Sequence, residues 1–137
     1  MKADIQTISA DATWPVRQHV FWPDQPISQA MLQNDHEGRH FGAFVNGRLV
    51  AVASLFPEGK TARLRKLATL EDYQNLGIGS TLLEFIIQHA RQQGFESLWC
   101  SVLEQALPYY RNFGFELEPQ SRKYKGTQAY CRIVLAL

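Results

Sequence analysis

The chain has 137 residues, of which 45% are hydrophobic and 20% are charged, so its composition is typical of one globular domain and excludes a disordered chain. Its formal net charge of +1 gives no reason to expect binding to nucleic acid or to an anionic membrane. Two cysteines are too few for a disulfide framework, and no apolar run approaches the ~20 residues of a membrane span. We therefore expect one domain over residues 1–137, in a cytoplasmic protein without a metal site.

The first part of the chain predicts a strand and then two helices. A strand is expected over residues 5–9, and Val16, His19 and Val20 then recur at helical spacing. Prolines end this helix before residue 23, because proline removes a backbone donor and clashes with the preceding turn. The second, shorter helix is predicted over residues 27–32, and a polar loop follows.

Three antiparallel strands are predicted next. Residues 41–45 and 49–56 are apolar, β-prone runs joined by Asn46-Gly47, which is the strongest short-range hairpin signal. A turn at 57–60 leads to a third strand over residues 62–70.

The second half changes from strand periodicity to helix periodicity and back. A helical pattern over residues 77–92 leads to a buried strand over 97–102. A further helix begins near Leu107, and strands over 115–123 and 128–137 close the domain. The strand–helix–strand unit of residues 62–102 implies a parallel crossover. The predicted fold is mixed α+β: a mostly antiparallel central sheet with one parallel strand pair, flanked by helices.

The glycine-containing loop before the long helix carries the clearest functional signal. Gln74, Gly77 and Gly79 lie between a predicted strand and a helix N-terminus. Free N–H groups of a first helical turn, together with the helix dipole, bind phosphate without a cationic side chain. The loop lacks the lysine of a Walker motif and the third glycine of a dinucleotide-binding motif. A simple tight turn remains open on these residues alone.

The chain resembles the GNAT superfamily of N-acetyltransferases. The resemblance is carried by Gln74-x-x-Gly77-x-Gly79 and by Tyr110-x-x-x-Gly114-Phe115 downstream, in the family's order. It implies the GNAT acyl-CoA N-acyltransferase fold, acetyl-CoA as acyl donor, and an amine as acceptor. It also leaves room for a homodimer.

The resemblance assigns two segments to acetyl-CoA. The backbone of the third antiparallel strand would pair with the pantetheine arm, through Leu67, Ala68 and Thr69. The glycine loop would hold the pyrophosphate, through Gln74, Asn75, Leu76, Gly77, Ile78, Gly79 and Ser80. A gap between this strand and strand 97–102 is expected to admit the donor.

The resemblance makes Tyr110 the acid that protonates the leaving thiolate, with a packed aromatic as the alternative. The general base does not match, because Arg63 and Ser101 stand where family members carry a glutamate. Glu104 acting through water, or ordered water alone, remains as the proton acceptor. The cysteines are expected to be small buried residues, because neither has a neighbour that would lower its thiol pKa.

The acceptor site implied by the resemblance includes Arg17, Trp22 and Lys125. Arg17 and Lys125 would pair with an acceptor carboxylate, with solvated surface charge as the alternative. The expected activity is transfer of the acetyl group to a primary amine of a small molecule or protein. The rival is a degenerate module that binds acyl-CoA as a sensor or scaffold without turnover, which the missing carboxylate favours.

Overall fold

Eight strands join into one sheet in the computed structural model, which describes residues 2–137. The strands are β1 (Asp4–Ile8), β2 (Arg39–Val45), β3 (Arg48–Glu58), β4 (Thr61–Thr69), β5 (Ser97–Leu103), β6 (Glu116–Leu117), β7 (Lys123–Lys125) and β8 (Gln128–Ala136). Their order in the sheet is β1-β2-β3-β4-β5-β8-β6, and β7 also pairs with β8. The β4–β5 pair is parallel and the other pairs are antiparallel. The predicted fold class and its single parallel pair are therefore confirmed.

Three α-helices cover parts of both faces of this sheet within residues 2–137. They are α1 (Ala10–Phe21), α2 (Ile78–Gln92) and α3 (Leu107–Arg111). The buried side of α2 packs on the main core with α3, while Val16 of α1 packs with Val52 and Ala68 in a second cluster. Because alternate residues of a strand face opposite sides, Val52 and its neighbour Ala53 belong to different clusters. The helix α1 and the helix α2 thus lie on opposite faces.

The predicted hairpin forms where its sequence signal lies. Asn46 and Gly47 have φ angles of 50° and 80°, the left-handed conformations that a two-residue hairpin turn requires. The predicted α2 is also confirmed, and its buried residues are Ile78, Leu82, Leu83, Ile86, Ile87 and Ala90. Phe85 is 41% exposed and touches Phe41 at the edge of the core.

Two predicted elements are wrong in their extent. The predicted strand 115–123 is split into β6 and β7, because Pro119 and the left-handed Gln120 (φ 62°) turn the chain between them. At this break the Ser121 hydroxyl replaces strand pairing, because it donates a hydrogen bond to Arg132 O and accepts one from Arg132 N on β8. The helix predicted over 27–32 is a single 3₁₀ turn over Ile27–Ala30.

Candidate functional site

The sheet opens between β4 and β5. In the described part of the chain these strands pair only at Thr61↔Ser97, Ala62↔Leu98 and Arg63↔Trp99. Residues 64–69 of β4 therefore have no strand partner on the β5 side. A β-bulge coincides with the opening: Lys66 has φ 58°, and the β3–β4 register shifts between Val52 and Ser54. Bulges bend a strand and increase its twist. The result is a cleft with the unpaired edge of β4 along one wall.

The unpaired edge offers backbone groups to a ligand. Leu70 N–H donates to Val50 O on β3. Because C=O and the following N–H of a trans peptide point in opposite directions, the Thr69 carbonyl faces the cleft. Gln74 Nε2 donates to this carbonyl at 2.9 Å. Gln74, predicted to contact a phosphate, thus braces the start of the loop in this structure.

The loop ends in a left-handed glycine that caps α2. Gly77 (φ 81°) is the N-cap residue, and an added Cβ there would meet no atom within 4 Å. Ile78 is buried and anchors the helix, while Leu76 is 45% exposed. The N–H groups at the start of a helix have no intrahelical partner, and the helix dipole adds partial positive charge. The open space beside Gly77 is therefore suited to a phosphate group.

A hydrogen bond between two hydroxyl groups connects α3 to the first turn of α2. Ser80 Oγ and Tyr109 Oη lie 2.9 Å apart. The next residue, Tyr110, is half-buried and packs edge-on against Tyr109 and Phe115. The structure therefore brings the tyrosine pair of α3 next to the glycine loop, although Ser80 and Tyr109 are 29 residues apart in sequence.

The Tyr110 hydroxyl is kept protonated. Burial raises the pKa of Tyr110 well above its usual range, and the neighbouring Cys100 and Tyr109 raise it further. No hydrogen bond within residues 2–137 involves this hydroxyl, so it is free to donate to a ligand. The Cys100 thiol is also buried, which raises its pKa to about 12 and leaves no thiolate at neutral pH.

The carboxylate proposed as a base is held by an arginine. Glu104 lies in the 3₁₀ turn after β5 and forms an ion pair with Arg122. Arg63, at one of the positions where a carboxylate would be expected, stacks on the Trp99 ring with its Cζ 4.4 Å from the centroid. Ser101, at the other position, is exposed.

The prediction that Arg17 binds an acceptor carboxylate is wrong. Its side chain is 0% exposed and pairs with the Asp35 carboxylate at 2.9 Å. It also donates to Ala30 O and to Ser54 Oγ, both at 2.9 Å. The guanidinium joins α1 to β3 and to the segment before β2, and it is closed to a ligand.

His40 completes this buried network. Its Nε2 lies 2.8 Å from the Asp35 carbonyl, which can only accept, so Nε2 carries the proton. Its Nδ1 then accepts from Ser54 Oγ at 2.7 Å, and Ser54 in turn accepts from Arg17. The hydrogen bonds run in one direction through Arg17, Ser54 and His40.

We expect Asp35→Asn to destabilise the protein by about 3–5 kcal/mol, because it leaves Arg17 buried without a counter-charge. For a domain of this size the melting temperature falls on the order of 10 °C.

Desolvation opposes ionisation of Asp35, but hydrogen bonds from Arg17, Trp14 and Leu32 lower its pKa below 3.8 overall. The stabilisation is therefore complete above pH 3.8 and is lost as the pH falls through the lower folded-state value. Thermal unfolding at several pH values measures both effects.

The matched control is Glu96→Gln, which breaks an exposed ion pair. Glu96 lies 3.9 Å from Lys60, and the two side chains are 68% and 83% exposed. The control is expected to cost less than about 1 kcal/mol. An equal, small effect of both substitutions would contradict the role of Asp35 as the counter-ion.

The other two predicted acceptor residues are accessible. Trp22 follows α1 and is half-exposed, and Lys125 on β7 lies over the Tyr130 ring. Lys66, which was not predicted as a site residue, lies beside Trp22, with its Nζ 5.0 Å from the ring centroid. No sequence signal marks it, because lysine is not a typical residue for a left-handed bulge position.

Two absences apply to the described part of the chain. Among residues 2–137 no cluster of three or more His, Cys, Asp or Glu side chains is arranged to hold a metal ion. In the same residues no helix is long and apolar enough to cross a membrane.

Comparisons with known proteins give consistent results. A family model described as "Acetyltransferase (GNAT) family" matches residues 6–115. The uncharacterized N-acetyltransferase YitI of Bacillus subtilis is 33% identical over 122 residues, which cover 82% of each chain. The ribosomal protein bS18-alanine N-acetyltransferase of Escherichia coli is 27% identical, over 91% of this chain and 86% of that one. A GNAT family acetyltransferase from Elizabethkingia anophelis, solved with acetyl-CoA bound, has the same fold, with a TM-score of 0.78, 18% identity and 98% of each chain covered.

Proposed function

The chain belongs to the GNAT family of acetyltransferases, and we propose that it transfers the acetyl group of acetyl-CoA to a primary amine of a small molecule or protein. The observation that carries the proposal is the cleft between β4 and β5, which leads to the glycine-capped N-terminus of α2. The cleft supplies an unpaired strand edge for an amide-containing arm and an anion site for the pyrophosphate. We also propose that residues 1–137 form one N-acetyltransferase domain.

The donor is expected to contact two segments. The β4 edge would pair with the pantetheine amides through Leu67, Ala68 and Thr69. The loop would hold the pyrophosphate through Gln74, Asn75, Leu76, Gly77, Ile78, Gly79 and Ser80. The fit of a phosphate is supported by the open space at Gly77, where only hydrogen occupies the Cβ position. Gln74 would either keep its bond to Thr69 O or turn towards the donor.

The reaction forms an N–C bond and breaks the S–C bond of the thioester. In the first step the ammonium nitrogen loses one proton and becomes a nucleophile. In the second step, after the attack, the nitrogen loses another proton and the departing thiolate takes one up. Tyr110 is suited to assist the second step, because its raised pKa keeps the hydroxyl protonated and no hydrogen bond within residues 2–137 involves it. Because a raised pKa also weakens an acid, we expect less than the full ~10²–10⁴ in rate that general acid catalysis contributes. The high pKa makes Tyr110 a hydrogen-bond donor to the developing thiolate over a wide pH range.

The first step proceeds without a tuned carboxylate. Deprotonation of an amine of pKa near 10.4 at pH 7 costs ~4–5 kcal/mol. The two strand positions considered for a base hold Arg63 and Ser101. Glu104 forms an ion pair with Arg122, so its carboxylate already has a partner and is not directed at the acceptor amine. We propose that water carries the amine proton, with Glu104 contributing little.

Glu104→Gln is accordingly expected to lower kcat/KM less than tenfold, since the ordinary effect of a general base is ~10²–10⁴. With no tuned base, kcat/KM should rise with pH towards the acceptor's own pKa. The measurement is kcat/KM against pH for the wild type and for Glu104→Gln.

The matched control is Glu118→Gln, because Glu118 forms an ion pair of similar exposure with Arg132. A wild-type profile that levels off near pH 6–7, and that loses this plateau only in Glu104→Gln, would show that Glu104 is the base.

The proposed function is tested by two measurements on the same preparation. Calorimetry with acetyl-CoA measures donor binding, and release of free CoA thiol in the presence of an amine panel measures transfer. Binding together with amine-dependent thiol release supports the proposal. Binding without turnover on any amine favours an acyl-CoA sensor, and absence of binding overturns the proposal.

A further inference from the structure

A group of basic and aromatic side chains lies where β4 leaves β5. We call it the basic–aromatic patch and define it as Phe21, Trp22, Arg65 and Lys66. Lys66 Nζ lies 5.3 Å from the Phe21 ring centroid and 5.0 Å from that of Trp22. The Arg65 guanidinium carbon lies 5.8 Å from the Phe56 ring centroid. The patch is on the α1 face of the sheet, because Phe21 and Trp22 end that helix.

The positive charge of this patch is only partly compensated. Burial lowers the pKa of Lys66, and Arg65, Lys125, Arg17 and Arg63 lower it further. Within residues 2–137, neither Arg65 nor Lys66 forms an ion pair. Ring faces stabilise cations only weakly compared with an anion in the same position.

Nearby carboxylates are occupied elsewhere. Glu58 accepts a hydrogen bond from Trp99 Nε1 at 2.8 Å. Burial and neighbouring cations lower the pKa of Arg65, and Asp35 and Glu58 offset part of this lowering. Asp35, however, is the counter-ion of Arg17. The patch is half-buried and combines two cationic side chains that form no ion pair with two aromatic rings. It is therefore complementary to an anion that carries an apolar group.

The position of the patch connects it with the acceptor. Lys66 is the bulged residue at which the cleft has opened, and Arg65 is two residues beyond the last β4–β5 pair at Arg63. A donor paired with Leu67, Ala68 and Thr69 would place its thioester beside the bulge. An amine that approaches from the α1 face would then meet Lys66 and Arg65 first.

We propose that the acceptor is an amine that also carries an anionic oxygen group, held by Lys66 and Arg65, with its apolar part against Phe21 and Trp22. The inference rests on the proposed acetyl transfer and specifies its acceptor class. A guanidinium recognises both carboxylate and phosphate groups through paired N–H donors. An amino-acid-like amine and a phosphorylated amine share this chemistry, and a polycationic acceptor is disfavoured by it.

The experiment compares matched amines that differ in the anion. Phenylalanine against phenethylamine tests the carboxylate, and phosphoethanolamine against ethanolamine tests the phosphate. For the wild type, kcat/KM is expected to be at least about tenfold higher for an anionic member than for its neutral partner, as for a hydrogen bond to a charged group. The pair that shows the preference identifies the anion.

Lys66→Met keeps most of the length of the side chain and the strain of the left-handed backbone but removes the charge. It should reduce the preference for the anionic member about 10–100-fold. The matched control is Lys60→Met, at the exposed turn between β3 and β4, which should leave the preference unchanged. A preference for the neutral amines in the wild type, or equal effects of the two substitutions, would overturn the proposal.

A binding measurement separates this proposal from the proposed function. By calorimetry, N-acetylphenylalanine should bind the wild type more tightly than N-acetylphenethylamine, or N-acetylphosphoethanolamine more tightly than N-acetylethanolamine, and Lys66→Met should remove the difference. Equal affinities within both pairs, or no binding of either acid-bearing compound, overturn the anionic acceptor. Loss of acetyl-CoA binding overturns the proposed function instead, and turnover restricted to neutral amines overturns only the acceptor class.

Discussion

Gly77→Asp is expected to lower acetyl-CoA affinity at least about 100-fold, because an unfavourable like-charge contact costs several kcal/mol. Gly77 is the left-handed N-cap of α2, and the space around its Cβ position is empty. Aspartate tolerates left-handed backbone better than most residues and is a good N-cap. Its carboxylate would bond the free amides of the first turn and occupy the phosphate position. Calorimetry with acetyl-CoA measures the loss.

The matched control for this prediction is Gly47→Asp. Gly47 has φ 80°, compared with 81° for Gly77, and its Cβ position is equally open, but it lies in the β2–β3 hairpin. The backbone strain and the added charge are therefore the same in both variants. Gly47→Asp should keep wild-type affinity. A folded Gly77→Asp protein that also keeps it would remove the phosphate site from this loop.

Tyr110→Phe is expected to reduce turnover by roughly 10–10³-fold while acetyl-CoA affinity and melting temperature change little. The substitution preserves the ring that packs on Tyr109 and Phe115. The hydroxyl it removes has no hydrogen-bond partner within residues 2–137, so no protein contact is lost. Because the pKa of Tyr110 is raised, loss of its proton should produce no fall in wild-type activity up to about pH 10. Single-turnover kinetics measure the chemical step.

Tyr109→Phe is the comparison from the same helix. It removes the hydroxyl that lies 2.9 Å from Ser80 Oγ, in the first turn of α2 after the glycine loop. A hydrogen bond of this type contributes about 0.5–1.5 kcal/mol, so the KM for acetyl-CoA should rise by less than roughly tenfold with kcat preserved. If both variants changed kcat equally, or if Tyr110→Phe left it unchanged, Tyr110 would be a packing residue.

Local sequence patterns predicted the elements whose conformation depends on near neighbours. Asn46-Gly47 predicted the hairpin, because these residues adopt left-handed backbone at low cost. The apolar period of α2 predicted its buried side, and the crossover rule predicted the parallel pair. The glycine loop was found for the same reason, since Gly77 takes a conformation that most residues avoid.

Tertiary contacts decided the features for which the sequence holds no local signal. Arg17 was predicted to be accessible, but its partners Asp35 and Ser54 are 18 and 37 residues away, and only folding brings them to its side chain. The bulge at Lys66 arises from the register in which β4 pairs with β3. The conformational propensity of a single lysine does not indicate such a register shift. Periodicity and turn chemistry act within a few residues, so the sequence by itself determined the order of elements and the position of the glycine loop. Charge pairing and register act across the sheet, so only the tertiary structure decided that Arg17 is internal and that Lys66 lies free beside the cleft.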